Sequence, residues 1–145
     1  MDEKAADSDD LERFVTAQDA GGTYQQALAE LVRGRKTSHW MWFIFPQIAG
    51  LGQSPISVRF AIASLPQARA YLTHPVLGPR LLECARAICA HRGSTAEQIL
   101  GGIDSLKLRS SMTLFHRADP AEPLFQQVIE QFFGGVPDSA TDQRL

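Results

Sequence analysis

The stretch Lys36-Thr-Ser-His-Trp-Met-Trp-Phe-Ile-Phe-Pro-Gln47 decides the fold. It holds both tryptophans of the chain, and its bulky run from His39 to Phe45 is stopped by Pro46. Such a run suits a buried strand or a short buried helix, and periodicity alone cannot separate the two. Its neighbours on both sides read as helices. The stretch is therefore read as a short buried helix, and the chain as all-α.

Upstream, Asp9–Asp10 can cap a helix from about Leu11 to Gln18. Gly21–Gly22 reads as a turn. Thr23 and Gln26 then have capping-box spacing for a helix with Ala27, Leu28, Leu31 and Val32 inward, ended by Gly34. Downstream, Ser64, Pro66 and Gln67 open a helix to about Leu72. Leu77, Leu81, Cys84, Ala85 and Ile88 make one stripe of a longer helix expected to end near Gly93. Ser94–Thr95 caps a short helix to Leu100. After Gly101–Gly102, Asp104 is placed to cap another through Leu108, Met112 and Phe115. Leu124, Phe125, Val128, Ile129, Phe132 and Phe133 form a last broad stripe, closed by Gly134–Gly135. The expectation is a compact multi-helical single domain of about six to eight helices over residues 9–137. A disordered acidic tail is expected at 1–8 and a polar one at 138–145.

At 145 residues, the chain can bury a core without disulfide staples. Its 44% apolar and 21% charged residues exclude a largely disordered chain. No window of eighteen apolar residues suggests a membrane span, and the acidic start lacks the apolar centre of a signal peptide. A cytoplasmic location is expected. Cys84 and Cys89 sit five residues apart on one helix, roughly 7.5 Å of rise and about 140° of rotation, too far for a disulfide. Both read as buried structural thiols. Six of the 16 acids lie in the first twelve residues, and none lies between Glu30 and Glu83. That acid-free stretch holds Arg33, Arg35, Lys36, Arg59, Arg69 and Arg80, which are either solvated surface charges or the wall of an anion site.

The aromatic stretch admits two readings. It is the central buried element, or it lines a pocket in which Trp40 or Trp42 stacks on a flat ligand. In the second reading Lys36 or Arg35 meets the ligand's anion, and Gln47 offers an amide to a sugar or base edge. Gly52, in the turn Gly50-Leu51-Gly52, lets backbone approach closely. His39, between cations and rings, is the candidate acid–base group. His74 reads as a capping or turn residue, and His91 and His116 as structural groups near helix C-termini. Asp104, Lys107 and Ser111 share one helix face, as an intrahelical ion pair or as part of a site. Lys36 and Lys107 are two of only three lysines, where a compact point charge suits a phosphate. No P-loop, dinucleotide or serine-elbow motif occurs, and no histidines share metal-ligand spacing. No cofactor and no metal are expected.

Five strings carry a family resemblance: Phe14-Val-Thr-Ala-Gln18, Ser38-His-Trp-Met-Trp-Phe-Ile-Phe-Pro-Gln47, Gly50-Leu-Gly52, Ala70-Tyr-Leu-Thr-His-Pro-Val-Leu-Gly-Pro-Arg-Leu82, and Asp104-Ser-Leu-Lys107 through Thr113-Leu-Phe115. Together they resemble the bacterial domain of unknown function 1810 (DUF1810) from about Leu11 to Thr141. The resemblance implies a mainly helical domain and brings no assigned activity. The resemblance leads one to expect tyrosine at position 60, where this chain has Phe60. Some relatives carry the label calpastatin, but nothing in this chain is similar to that inhibitor's disordered repeats. The Ser-His-Trp string with a later Lys-bearing helix is also similar in layout to the NADAR or YbiA-like N-glycosidases. Those act on ADP-ribose-type or riboflavin-pathway compounds and place a glutamate just before the His, where this chain has Ser38. Asp104 or Glu83 is then the substitute carboxylate, provided the fold brings it close.

The expected ligand is small, anionic and nucleotide-like, of the ADP-ribose type. If it is hydrolysed, the reaction is N-glycosidic, with Asp104 as carboxylate and His39 beside it. Trp40 or Trp42 stacks, Lys36, Arg80 and Lys107 hold phosphate, and Ser111 adds a hydroxyl. The alternative is a non-catalytic protein-interaction module. Nucleic acid ranks last as a partner, because a pI of about 6.0 lacks the basic footprint.

Overall fold

Apolar residues at helical spacing, punctuated by glycine and proline, produce ten α-helices, one 3-10 turn and no sheet among the described residues. The computed structural model describes the backbone from residue 3 and side chains from residue 10, both through residue 145. Met1 and Asp2, where the expected acidic tail begins, lie outside the described residues. The helices are α1 (Glu3–Asp19), α2 (Thr23–Arg33), α3 (Met41–Ile44), α4 (Pro55–Arg59) and α5 (Leu65–Thr73). There follow α6 (Leu77–Cys89), α7 (Ala96–Leu100), α8 (Gly102–Ala118), α9 (Pro123–Phe133) and α10 (Ser139–Asp142). Six have nine residues or more, in keeping with the expected six to eight, and four are short turns of four or five residues. The only pairing of extended backbone among the described residues is one parallel bridge, Ile48 to Ile62.

Several helix ends follow the expected chemistry. Ser64 Oγ accepts the Gln67 N–H at the start of α5, with proline in its first turn. Thr95 and Gln98 close a full capping box on α7. His74 caps as expected: its Nδ1 accepts the N–H groups of Val76 and Leu77 ahead of α6. Other ends differ. Thr23 and Gln26 form no capping box, because a 3-10 turn at Ala20–Gly22 delivers Thr23 already helical. The Thr23 hydroxyl instead donates back to Ala20 O, and the Gln26 amide donates to Glu30. α1 begins at Glu3, not near Leu11. α6 stops at Cys89 rather than near Gly93, and the Gln131 amide N–H donates to the Cys89 carbonyl at that end. Residues 138–145, expected as a polar tail, carry α10, capped by Asp138, with Thr141 buried and Asp142 paired to Arg117 at 2.9 Å.

α8 is the central element, packed by α5, α7, α9 and α10. A chain of rings binds the layers: Phe14 of α1 meets Tyr71 of α5 edge-on at 5.3 Å, Tyr71 meets Phe115 of α8 at 5.2 Å, and Phe115 meets Phe125 of α9 at 6.0 Å. The aromatic stretch forms α3, a single buried turn. The buried Gln18 amide donates to Phe43 O at 2.8 Å and fastens that turn to α1. Cys84 is buried, Cys89 half-buried, and both thiols are free. No helix among the described residues is long and apolar enough to cross a membrane.

Candidate functional site

Helical periodicity places Glu30 on the inward face of α2, between Ala27 and Leu31, and its side chain is fully buried. α2 ends at Gly34, which adopts φ 81° so that the chain can reverse. The loop that follows folds back over Glu30. Thr37 N–H, Ser38 N–H and the Trp40 indole N–H donate to Glu30 Oε1 at 2.6, 2.9 and 3.0 Å. Gln26 Nε2 donates to Oε2 at 2.7 Å, and the Ser38 hydroxyl donates to the same oxygen. Burial pushes the Glu30 carboxyl up, but hydrogen bonds from Ser38, Gln26 and Thr37 outweigh it and hold the group well below the usual carboxylate range. Glu30 was not among the expected site residues. Its signal was an acidic residue on an apolar stripe.

The same loop carries Lys36 toward α8. Its backbone N–H donates to Ile99 O at 2.7 Å, fixing the loop to α7. Its ammonium sits 2.9 Å from Asp104 Oδ2 and 5.1 Å from the Trp40 ring centre. Lys107, one turn along α8, reaches Asp104 Oδ1 at 3.5 Å and lies 4.8 Å from the Trp42 ring centre. Asp104 does not cap α8, whose N-cap is Gly101. It stands in the first turn, between two ammonium groups. An open cleft of about 370 Å³ is lined by Lys36, His39, Trp42, Gly101, Ile103 and Asp104, among others. That volume lies at the low end of small-molecule sites.

The fold thus gathers Lys36, His39, Trp42, Asp104 and Lys107. His39 is exposed at the mouth, and Trp42 is half-buried. The remaining expected site residues lie elsewhere. Trp40 is 1% exposed and belongs to the core, so only Trp42 offers a ring to the cleft. Gln47 and Gly52 line a separate hollow with Trp42, of about 10 Å³, room for one water at most. Arg80 is held by Asp19 at 2.8 Å and lies over Tyr24, away from the cleft. Ser111 is buried in α8, and its hydroxyl has no hydrogen-bond partner among the described residues. Glu83 accepts from the Tyr24 hydroxyl and is no cleft carboxylate. Arg59 and Arg69 are spent on Phe60 and the Ala118 carbonyl, so the acid-free stretch contributes Lys36 as its cation in the cleft.

A family model described as "Protein of unknown function (DUF1810)" matches residues 8–145. The chain belongs to the DUF1810 family. This DUF1810 chain is similar to a solved structure, the conserved hypothetical protein Rv1873 from Mycobacterium tuberculosis. The two share 48% identity, with 94% of this chain and 96% of that one covered and a TM-score of 0.90. Among curated proteins nothing matches. The neighbour brings no activity to transfer, so a role for the DUF1810 cleft is argued from its own groups.

Proposed function

We propose that the cleft binds a small anionic ligand with a flat ring, of the ADP-ribose type. The observation that carries this reading is Trp42. It is the one half-exposed ring of the aromatic stretch, and it stands beside two lysines and Asp104 in a cleft of about 370 Å³. A ring platform next to point charges is the pairing that a nucleotide-like molecule requires. Ile103, 76% exposed at the mouth, adds an apolar lip for the bound molecule to cover.

Where the ligand has an N-glycosidic bond, Asp104 is the carboxylate at hand to stabilise the oxocarbenium-like centre. His39, which lines the same cleft, is the proposed donor of a proton to the departing base as water adds to the sugar carbon. Glu30 takes no part in such a step, since both its oxygens are already saturated by donors.

The test is a thermal-shift titration with ADP-ribose, nucleotides, sugar phosphates and flavin precursors, followed by chromatography for a released base. A ligand at a hundred times its dissociation constant adds about 2.7 kcal/mol, a rise of several degrees for a domain of this size. The shift should vanish in Lys36→Ala and Trp42→Ala and persist in Arg80→Ala. A shift that survives the first two variants, or none across the panel, removes the reading.

A further inference from the structure

We propose that Glu30 is the positioning residue of the cleft. It holds the loop that carries Lys36 and His39, and it steadies the Lys36 ammonium through the indole of Trp40. The inference rests on the reading above only for what the loop is positioned to bind. A carboxylate with no exposed surface, on the apolar face of α2, is an expensive choice where leucine would pack. What the charge secures is visible in its five donors. All are uncharged; four come from the loop at Thr37, Ser38 and Trp40, and one from Gln26 of α2. Two consecutive backbone N–H groups aimed at one oxygen fix the path of the chain between Lys36 and His39.

The third group on Oε1 extends the hold to the cleft. An indole whose N–H donates to a carboxylate is polarised toward its ring, and a richer ring face attracts a cation more strongly. Lys36 lies 5.1 Å from that ring's centre and 2.9 Å from Asp104. Its backbone is pinned to Ile99 and its ammonium to Asp104, and Trp40 lies beneath the side chain between them. Glu30 therefore connects to the cleft without touching it. A burden of purely global stability would not need the donors concentrated in this one loop.

The experiment compares wild type, Glu30→Gln, and the Gln26→Glu, Glu30→Gln double variant. The double variant keeps a carboxylate next to an amide while moving the charge one turn along α2. Hydrogen exchange is followed at the Thr37 and Ser38 amides and the Trp40 indole, with amides of α6 and α9 as the internal reference. In Glu30→Gln the three loop groups should exchange roughly ten- to a hundred-fold faster relative to that reference, the loss of hydrogen bonds to a charged group. Trace acetylation of Lys36 should rise relative to Lys107. The double variant should not restore either readout, because the acceptor for the loop has moved. Unchanged relative exchange and acetylation in Glu30→Gln, or full recovery in the double variant, overturns the proposal. Affinity for ADP-ribose is measured alongside, with an expected loss of about tenfold or more in Glu30→Gln. If wild type itself fails to bind, the ligand reading of the cleft falls, and the exchange and acetylation results still decide the role of Glu30.

Discussion

The Lys36 ammonium and the Asp104 carboxylate meet at 2.9 Å, joining the loop after α2 to the first turn of α8. Both side chains are largely covered, 9% and 19% exposed, and Lys107 shares the same carboxylate. Asp104→Ala leaves two ammonium groups side by side in partly desolvated surroundings. A cost of about 1–3 kcal/mol is expected, below the value for a fully buried pair because water still reaches Asp104. A double-mutant cycle with Lys36→Ala should give a coupling of about 1 kcal/mol or more by urea denaturation. A coupling near zero would show that the contact organises nothing.

Glu30 makes stability depend on acid. Its folded carboxyl is held below its unfolded value, so its contribution is fully present above the unfolded value, about 4.3. That contribution is lost progressively as pH falls from there toward the folded value. Asp142, lowered by its hydrogen bond to Arg117, acts in the same direction and sets a background slope. Between pH 6 and pH 3 the wild type should therefore lose more unfolding free energy than Glu30→Gln, while Glu30→Gln is the less stable protein at pH 7 by about 1.5–3 kcal/mol, the loss of hydrogen bonds to a charged acceptor. Parallel pH curves for the two proteins would contradict this account.

Much of the fold was legible in the sequence because its signals are local. Gly34, Ser64–Pro66, Ser94–Thr95 and the Leu77-to-Ile88 stripe act within a turn or two of their own positions. The grouping of the candidate residues was legible in part: Lys36, Trp42, Asp104 and Lys107 lie together, while Trp40 is in the core and Arg80 is paired with Asp19. Which of two tryptophans two residues apart faces out depends on where a single helical turn is docked. Here Glu30 fixes that docking from another helix. Glu30 carries no such local signal, because a charged residue on an apolar stripe gives no hint of its donors until the chain returns over it. Asp104 looked like a cap because spacing after Gly101–Gly102 suits one, yet the Lys36 partner is long-range.

Gly78 offers a test of packing alone. A Cβ on this residue, in the first turn of α6, would collide with the Leu72 backbone carbonyl of α5. Backbone cannot swing aside as a long side chain can. Gly78→Ala should cost about 2–4 kcal/mol or prevent folding, although alanine is the better helix former by about 1 kcal/mol. Gly102→Ala is the control: its Cβ meets nothing within 4 Å, so its stability should change little or improve. Equal melting temperatures for Gly78→Ala and wild type would show that α5 and α6 can separate freely.

The two thiols should differ in reactivity. Burial, with Glu83 nearby, pushes the Cys84 thiol up to about 12, and burial raises Cys89 by less. At pH 8, iodoacetamide should label Cys89 slowly and leave Cys84 untouched until denaturant is added. Mass spectrometry of the folded protein should show one modified site. Rapid labelling at Cys84 would mean that α6 opens from α2 under native conditions.

The tryptophans give the last prediction, because they divide core from cleft. Trp40 is buried with its indole N–H on Glu30, whereas Trp42 is half-exposed beside Lys107. Acrylamide quenches only rings it can reach, so quenching of the wild type should come almost wholly from Trp42. In Trp42→Phe the remaining emission should be blue-shifted and nearly unquenched, while in Trp40→Phe it should stay accessible. Trp40→Phe removes a hydrogen bond to a buried charge and should lower stability by about 1.5–3 kcal/mol, whereas Trp42→Phe should change it little. Saturating ADP-ribose should protect Trp42 from acrylamide in the wild type and leave the quenching of Trp42→Phe as it was. If acrylamide reaches Trp40 as readily as Trp42, the loop is not closed over Glu30. If ligand fails to shield Trp42, that ring is not the platform of the cleft.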